Sequence, residues 1–224
     1  MRLFIALELP ATDRGRIHRA VQPLRAIDLP VRWVDPGAYH LTLKFLGEVP
    51  AERLSELERA MGDAIAGFVP TSVAPIGLGG APSLARPRVL WIEVEQSRAL
   101  MQLQSRLDAT LARIGFPSEA RPFRPHITLG RIRGRRLISP ADLEALRDLV
   151  AELDLGSRVA TEAPTGRPTP TAPRAPGRHP TPILNPPIPT LSLALFESRL
   201  SSDGARYRVL ARAPLASPEG SVRE

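Results

Sequence analysis

The 224-residue chain has no cysteine. That excludes a disulfide framework, a thiolate metal site and a cysteine nucleophile. Histidine is scarce, with His18, His40, His126 and His179 the full set. A zinc site of several histidines would use most of them, so neither a metal nor another cofactor is expected. Aromatic residues make up only 4%. No apolar run approaches the ~18 residues of a membrane span, so no membrane association is expected. The apolar stretch from Met1 to Leu9 is interrupted by Glu8 and followed by no small-residue cleavage site. It reads as no signal peptide, and the expected compartment is the cytoplasm. Lysine is nearly absent, Lys44 being the one lysine among 30 basic residues.

The rest of the composition is ordinary for a soluble domain, 43% hydrophobic and 24% charged. Basic residues outnumber acidic ones 30 to 23, a net charge of +7. Such a surface favours anionic partners, phosphates or RNA, and says nothing about fold. Proline is unevenly spread. Ten of the 25 prolines fall in the 28 positions from Glu162 to Pro189. Proline lacks the N–H and fixes φ, so this stretch suits neither a helix interior nor a central strand. Regular patterns resume at Leu191, and the segment from there to the C-terminus is too short for a second domain. The expected organisation is one domain over residues 1–214, a proline-rich disordered insertion at 162–189, and a flexible tail at 215–224.

Elsewhere the periodicities alternate between strand and helix. Strands are expected at Arg2 to Glu8, His40 to Glu48, Ser72 to Leu78, Val89 to Glu95 and His126 to Ile132. Two more, Leu191 to Ser198 and Arg206 to Ala211, flank the turn signal Asp203-Gly204. Thr12 or Asp13 caps a helix with Ile17, Ala20, Val21 and Leu24 on one face. Leu54, Leu57, Met61 and Ile65 mark a second helix, and Ser97 to Ile114 a third. Ser139-Pro140 opens a fourth, running to Val150. Gly79 to Arg88 reads as a loop. Several strand pairs lack an intervening helix, which argues for an α+β domain with mainly antiparallel sheet.

One short motif occurs twice. His40-Leu41-Thr42-Leu43 matches His126-Ile127-Thr128-Leu129, 86 residues later. Side chains alternate faces along a strand, so His40, Thr42 and Lys44 share one face and Leu41, Leu43 and Phe45 the other. The same rule pairs His126 with Thr128. Two imidazoles and two hydroxyls then converge if two similar lobes face each other. Histidine titrates near neutrality, so one can serve as base and its partner as acid across a phosphodiester. The threonine hydroxyls can bond the non-bridging oxygens, and Lys44 or Arg131 can offset the charge of the transition state.

Four segments, in order, resemble the two-histidine phosphoesterase superfamily, and within it the RNA 2′,3′-cyclic phosphodiesterases, also called 2′-5′ RNA ligases. They are Arg2 to Leu7, Arg32 to Val34 with His40 to Glu48, Arg124 to Arg131, and Leu195 to Leu200 with Gly204 to Tyr207. The resemblance implies two pseudo-symmetric lobes of mainly antiparallel sheet, with outer helices, around a central cleft. It implies metal-independent hydrolysis of an RNA 2′,3′-cyclic phosphate end to a 2′-phosphomonoester, with tRNA fragments among the substrates and 2′-5′ ligation as a side activity. It gives His40 the part of acid for the 3′ leaving oxygen and His126 that of base or of a phosphate-orienting residue. Thr42, Thr128 and Arg131 become phosphate contacts, and Phe4 is either a platform for the terminal base or a core residue of the first strand. A monomer is expected, with affinity that depends on salt and little on base identity. Simple alternation puts Arg131 on the face opposite His126, a departure that spacing leaves open. The alternatives are a phosphodiesterase for a small cyclic phosphate or a 2′-5′ linked oligonucleotide, and a nucleotide- or RNA-binding module without turnover.

Overall fold

Strand β1 (Arg2–Glu8) is apolar from Leu3 to Leu7 and buried on both faces, which places it inside a sheet. The computed structural model describes residues 1–68, 72–133, 138–146, 148–149, 186–201 and 204–215. After β1 come α1 (Ala11–Ala20), α2 (Gln22–Ala26), β2 (Val31–Trp33), β3 (His40–Glu48) and α3 (Leu54–Ile65). β4 (Ser72–Val73), β5 (Pro75–Ala81), β6 (Val89–Val94), α4 (Arg98–Arg113) and β7 (His126–Ile132) come next. The chain closes with β8 (Ile188–Pro189), β9 (Ser192–Ser201) and β10 (Gly204–Pro214). Residues 140–146 and 148–149 are helical, and Ser139 Oγ accepts the Asp142 backbone N–H, as its N-cap place requires.

Eight strands form one antiparallel sheet in the order β10-β9-β1-β3-β7-β6-β5, with β2 also paired to β7. The sheet has two halves of four strands. They meet between β3 and β7 at one residue pair, Leu41 opposite Ile127. Each half therefore has a histidine strand at the seam. A second sheet pairs β4 with β8.

One face of the sheet is sealed. Leu3, Ile5 and Leu7 of β1, Leu41 of β3, Ile127 of β7 and Ile92 of β6 are almost fully buried. Opposite them, α3 brings Leu57 and Met61, and α4 brings Leu100, Leu103, Leu107 and Leu111 at helical spacing. Each such side chain contributes about 1.5–3 kcal/mol on burial. The other face carries both His-x-Thr motifs. No helix among the described residues is long and apolar enough to cross a membrane.

Several local expectations change. The first helix starts at Ala11 without a side-chain cap; Asp13 lies inside it, buried and paired with Arg16. The helical run breaks at Val21, just before Pro23, and restarts as the short α2. β2 went unread because three residues are too few for alternation to show. β5 runs to Ala81, so Gly79 to Ala81 belong to a strand and not to the loop. Most of the proline-rich stretch lies outside the described residues, but its end does not. Ile188 is fully buried, Ile188–Pro189 pairs with Ser72–Val73, and Arg16 donates to the Pro186 carbonyl at 2.6 Å. The last residues assigned to the insertion are thus built into the domain. A two-stranded edge tolerates Pro189, and Ile188 supplies an apolar anchor.

Candidate active site

Both histidines stand at the first position of their strands. Leu41 pairs with Ile127 in antiparallel register, so His40 and Thr128 flank that pair on one side and Thr42 and His126 on the other. The two His-x-Thr motifs are thus related by an approximate two-fold axis through the seam. Each imidazole is fixed in the same way. His40 Nδ1 lies 2.8 Å from the Ala38 carbonyl oxygen, and His126 Nδ1 lies 2.8 Å from the Arg124 carbonyl oxygen. A carbonyl only accepts, so each Nδ1 carries the proton and Nε2 is left free for a ligand.

The strands share a second feature that alternation misses. Ile5 pairs with Lys44 and Ala6 with Thr42, so Leu43 is an extra residue in β3. Leu90 pairs with Gly130 and Trp91 with Thr128, so Leu129 is an extra residue in β7. Each β-bulge lies three residues after its histidine, and a bulge advances the alternation by one. The burial patterns of the two strands match accordingly. Leu43 and Lys44 are both buried and Phe45 is exposed; Leu129 and Gly130 are both buried and Arg131 is exposed.

The bulges decide three of the expected site residues. Arg131 returns to the histidine face, which removes the apparent departure. Its guanidinium is near enough to Tyr207 to oppose the upward push of burial on that phenol. Lys44 goes the other way. It is 3% exposed, donates to Asp108 of α4 at 2.5 Å and to the Pro117 carbonyl at 2.6 Å, and so is no free phosphate-binding cation. Phe45 moves from the expected core face to solvent and is 62% exposed. Phe4 is corrected in the opposite sense. It is 2% exposed, packed beneath His40, and offers no open face to a base. Gly130 is required by packing, since a Cβ there would come within 2.4 Å of Val31 Cγ1 on β2.

The surroundings of the two imidazoles differ. His40 is walled by rings: Phe4 at 4.9 Å between centroids, Phe196 at 5.5 Å and Tyr207 edge-on at 5.1 Å. Burial among them pushes His40 from the ordinary 6.5 down to about 4, despite the Ala38 carbonyl, and the facing His126 adds to the push. Among the described residues His126 has one ring neighbour, Trp91, at 4.8 Å. A cavity of about 1230 Å³ opens on its side, lined by Thr42, Phe45, Trp91, Glu93, Arg121 and Arg124 among others. That is above the ~300–1,000 Å³ usual for a small-molecule pocket.

Sequence reasoning brought His40, Thr42, His126, Thr128 and Arg131 to the right strands, and the fold brings them to one face. It missed Phe45, Trp91, Glu93 and Tyr207. The signal for Phe45 was present: it stands five residues after His40, as Arg131 does after His126.

The profile of the LigT-like phosphoesterases matches residues 7–91 and 92–161. An RNA 2′,3′-cyclic phosphodiesterase of Methanothermobacter thermautotrophicus is 32% identical over 165 residues, 72% of this chain and 86% of its own. The crystal structure of TT0787 of Thermus thermophilus superposes with a TM-score of 0.67 and 25% identity, covering 97% of this chain and all of that one. E. coli LigT complexed with 3′-AMP superposes at 0.63 and 25%, covering 96% and 98%.

Proposed function

The chain belongs to the LigT-like phosphoesterase family, and we propose that it hydrolyses the 2′,3′-cyclic phosphate at the end of an RNA, leaving a 2′-phosphomonoester and a free 3′-hydroxyl. The observation that carries this reading is the seam. Two histidine strands pair there in opposite directions, each Nδ1 tied to a carbonyl and each Nε2 free. One imidazole takes a proton from the attacking water. The new P–O bond forms, the P–O3′ bond breaks, and the other imidazole protonates O3′. Thr42 and Thr128 donate to the non-bridging oxygens, and Arg131 offsets the charge that builds on phosphorus-bound oxygen. With a 5′-hydroxyl in place of water, the same geometry joins two RNA ends through a 2′-5′ linkage.

The resemblance makes His40 the acid. Its wall of rings favours the other part in the free chain, because an imidazole titrating at about 4 is neutral at pH 7. A cyclic phosphate with sulfur at the 3′ position separates the two, since a thiolate leaves without a proton. That substrate should restore activity to the Ala variant of the acid and not to that of the base.

RNA is favoured over a small cyclic phosphate by the cavity, which exceeds one nucleotide and carries Arg121 and Arg124. Phe45, exposed on its wall, takes the stacking part expected of Phe4. The experiment is direct. The protein, in EDTA, is given an oligonucleotide or tRNA half ending in a 2′,3′-cyclic phosphate, and the product is read by phosphorus NMR. A 2′-phosphate is expected. A 3′-phosphate, or turnover only with added divalent metal, would overturn the reading. Sedimentation should show a monomer.

A further inference from the structure

The two-fold relation of the motifs extends to a pair of carboxylates. Glu8 on β1 lies opposite His40, and Glu93 on β6 lies opposite His126. Their fates differ. Glu8 is engaged by Arg212, whose Nε and Nη2 donate at 2.7 and 3.0 Å, and by the Ser192 hydroxyl at 2.8 Å. Glu93 is exposed, and no hydrogen bond or ion pair ties it to another described residue. It lines the same cavity as Trp91 and Phe45. Room has been made for it. A Cβ on Gly79 would fall 2.7 Å from Glu93 Oε1 and 2.1 Å from Trp91 Nε1, so both side chains rest where the glycine has none.

A carboxylate accepts and never donates. Next to a phosphate site it repels the substrate unless a donor group of that substrate meets it. Glu93 is the cross-strand neighbour of His126 and shares the cavity with Phe45, so a ribonucleotide held at His126 and stacked on Phe45 would turn its base edge toward Glu93. Guanine presents two adjacent donors, N1–H and the N2 amino group, which match the two carboxylate oxygens. Adenine and cytosine present one amino group beside a ring lone pair. Uracil presents one N–H between two carbonyls, each of which faces a carboxylate oxygen unfavourably.

We infer that Glu93 is a specificity-determining residue that selects the terminal base, favouring guanine and disfavouring uracil. The inference rests on the phosphodiesterase reading and departs from the base-indifferent grip expected of phosphate contacts alone. The test measures kcat/KM for four short RNA oligonucleotides that differ only in the terminal nucleoside carrying the 2′,3′-cyclic phosphate, with the unaltered protein and with Glu93→Gln. Glutamine keeps the shape, one acceptor and the exposed position, and a melting curve checks the fold. The unaltered protein should favour guanosine over uridine by about tenfold or more, within what a bidentate base contact discriminates. The glutamine amide donates to a uracil carbonyl, so the variant should bring that ratio near unity. Hydrolysis of all four at equal kcat/KM, or a guanosine preference that survives the substitution, would overturn the inference and leave the phosphodiesterase reading standing. No hydrolysis of any of the four would overturn both.

Discussion

The two halves of the sheet carry the same motif on the same bulged strand and surround it with different chemistry. Around His40 the histidine face is filled by Phe4, Phe196 and Tyr207, and the carboxylate opposite it is neutralised by Arg212. Around His126 the described residues supply one ring, an open cavity and a carboxylate without a described partner. Backbone geometry repeats because it rests on strand register. Side-chain surroundings diverge because nothing in that register constrains them. The surroundings can therefore lower the proton affinity of His40 while the backbone holds both imidazoles in the same way.

The largest effect is expected at the histidines. His40→Ala and His126→Ala should each cost about 10²–10⁴-fold in kcat, and the double variant little more than the worse single one. Near-unaltered activity in either would mean that the halves do not act as a pair. The bulges are tested next, by removing the two cations they send to opposite faces. Lys44→Met leaves Asp108 without its buried partner. It should lower stability by about 2–4 kcal/mol, toward the lower end of what breaking a buried pair costs because Asp108 keeps some contact with solvent. Its KM should hardly move. Arg131→Met should do the reverse, lowering kcat/KM with the melting temperature unchanged.

A pH titration of stability sharpens the difference further. His40 binds a proton at about 4 when folded and near 6.5 when unfolded. The unfolded chain therefore takes up protons first as the pH falls. Stability should be full above pH 6.5 and decline toward pH 4, by about 3 kcal/mol. His40→Ala should flatten that slope. An unchanged slope would show that the ring wall does not lower His40. The smallest effect separates the two phenylalanines. Phe45→Leu should raise KM by a stacking contribution of about 1–3 kcal/mol without changing the melting temperature. Phe4→Leu should lower the melting temperature, because leucine fills the ring's place imperfectly at a cost of about 1 kcal/mol, and leave KM alone.

Most of the strand and helix positions were legible because their periods are strong. The bounds of β1, β3 and β7 are those that alternation and flanking residues indicate. The strand positions of the motif histidines and threonines were legible because the motif repeats within one chain on two alternating segments. Three assignments were not. Lys44, Phe45 and Arg131 depend on whether one leucine per strand is skipped by its neighbour, and Leu43 and Leu129 look like any other core residue. Phe4 read equally well as platform or core, since a buried aromatic on a strand has the same pattern as an exposed one.

By itself the sequence determines the alternation, the helical faces, the two-copy motif and the basic charge, all of which are local or additive. Tertiary structure alone decides register, and register decides the site. The bulges exist only in the pairing of β3 with β1 and of β7 with β6, because an extra residue is defined by the strand it fails to match. The meeting of His40 and His126 depends on one residue pair across the seam. The low proton affinity of His40 arises from rings on β1, β9 and β10, distant in sequence and near only in the fold.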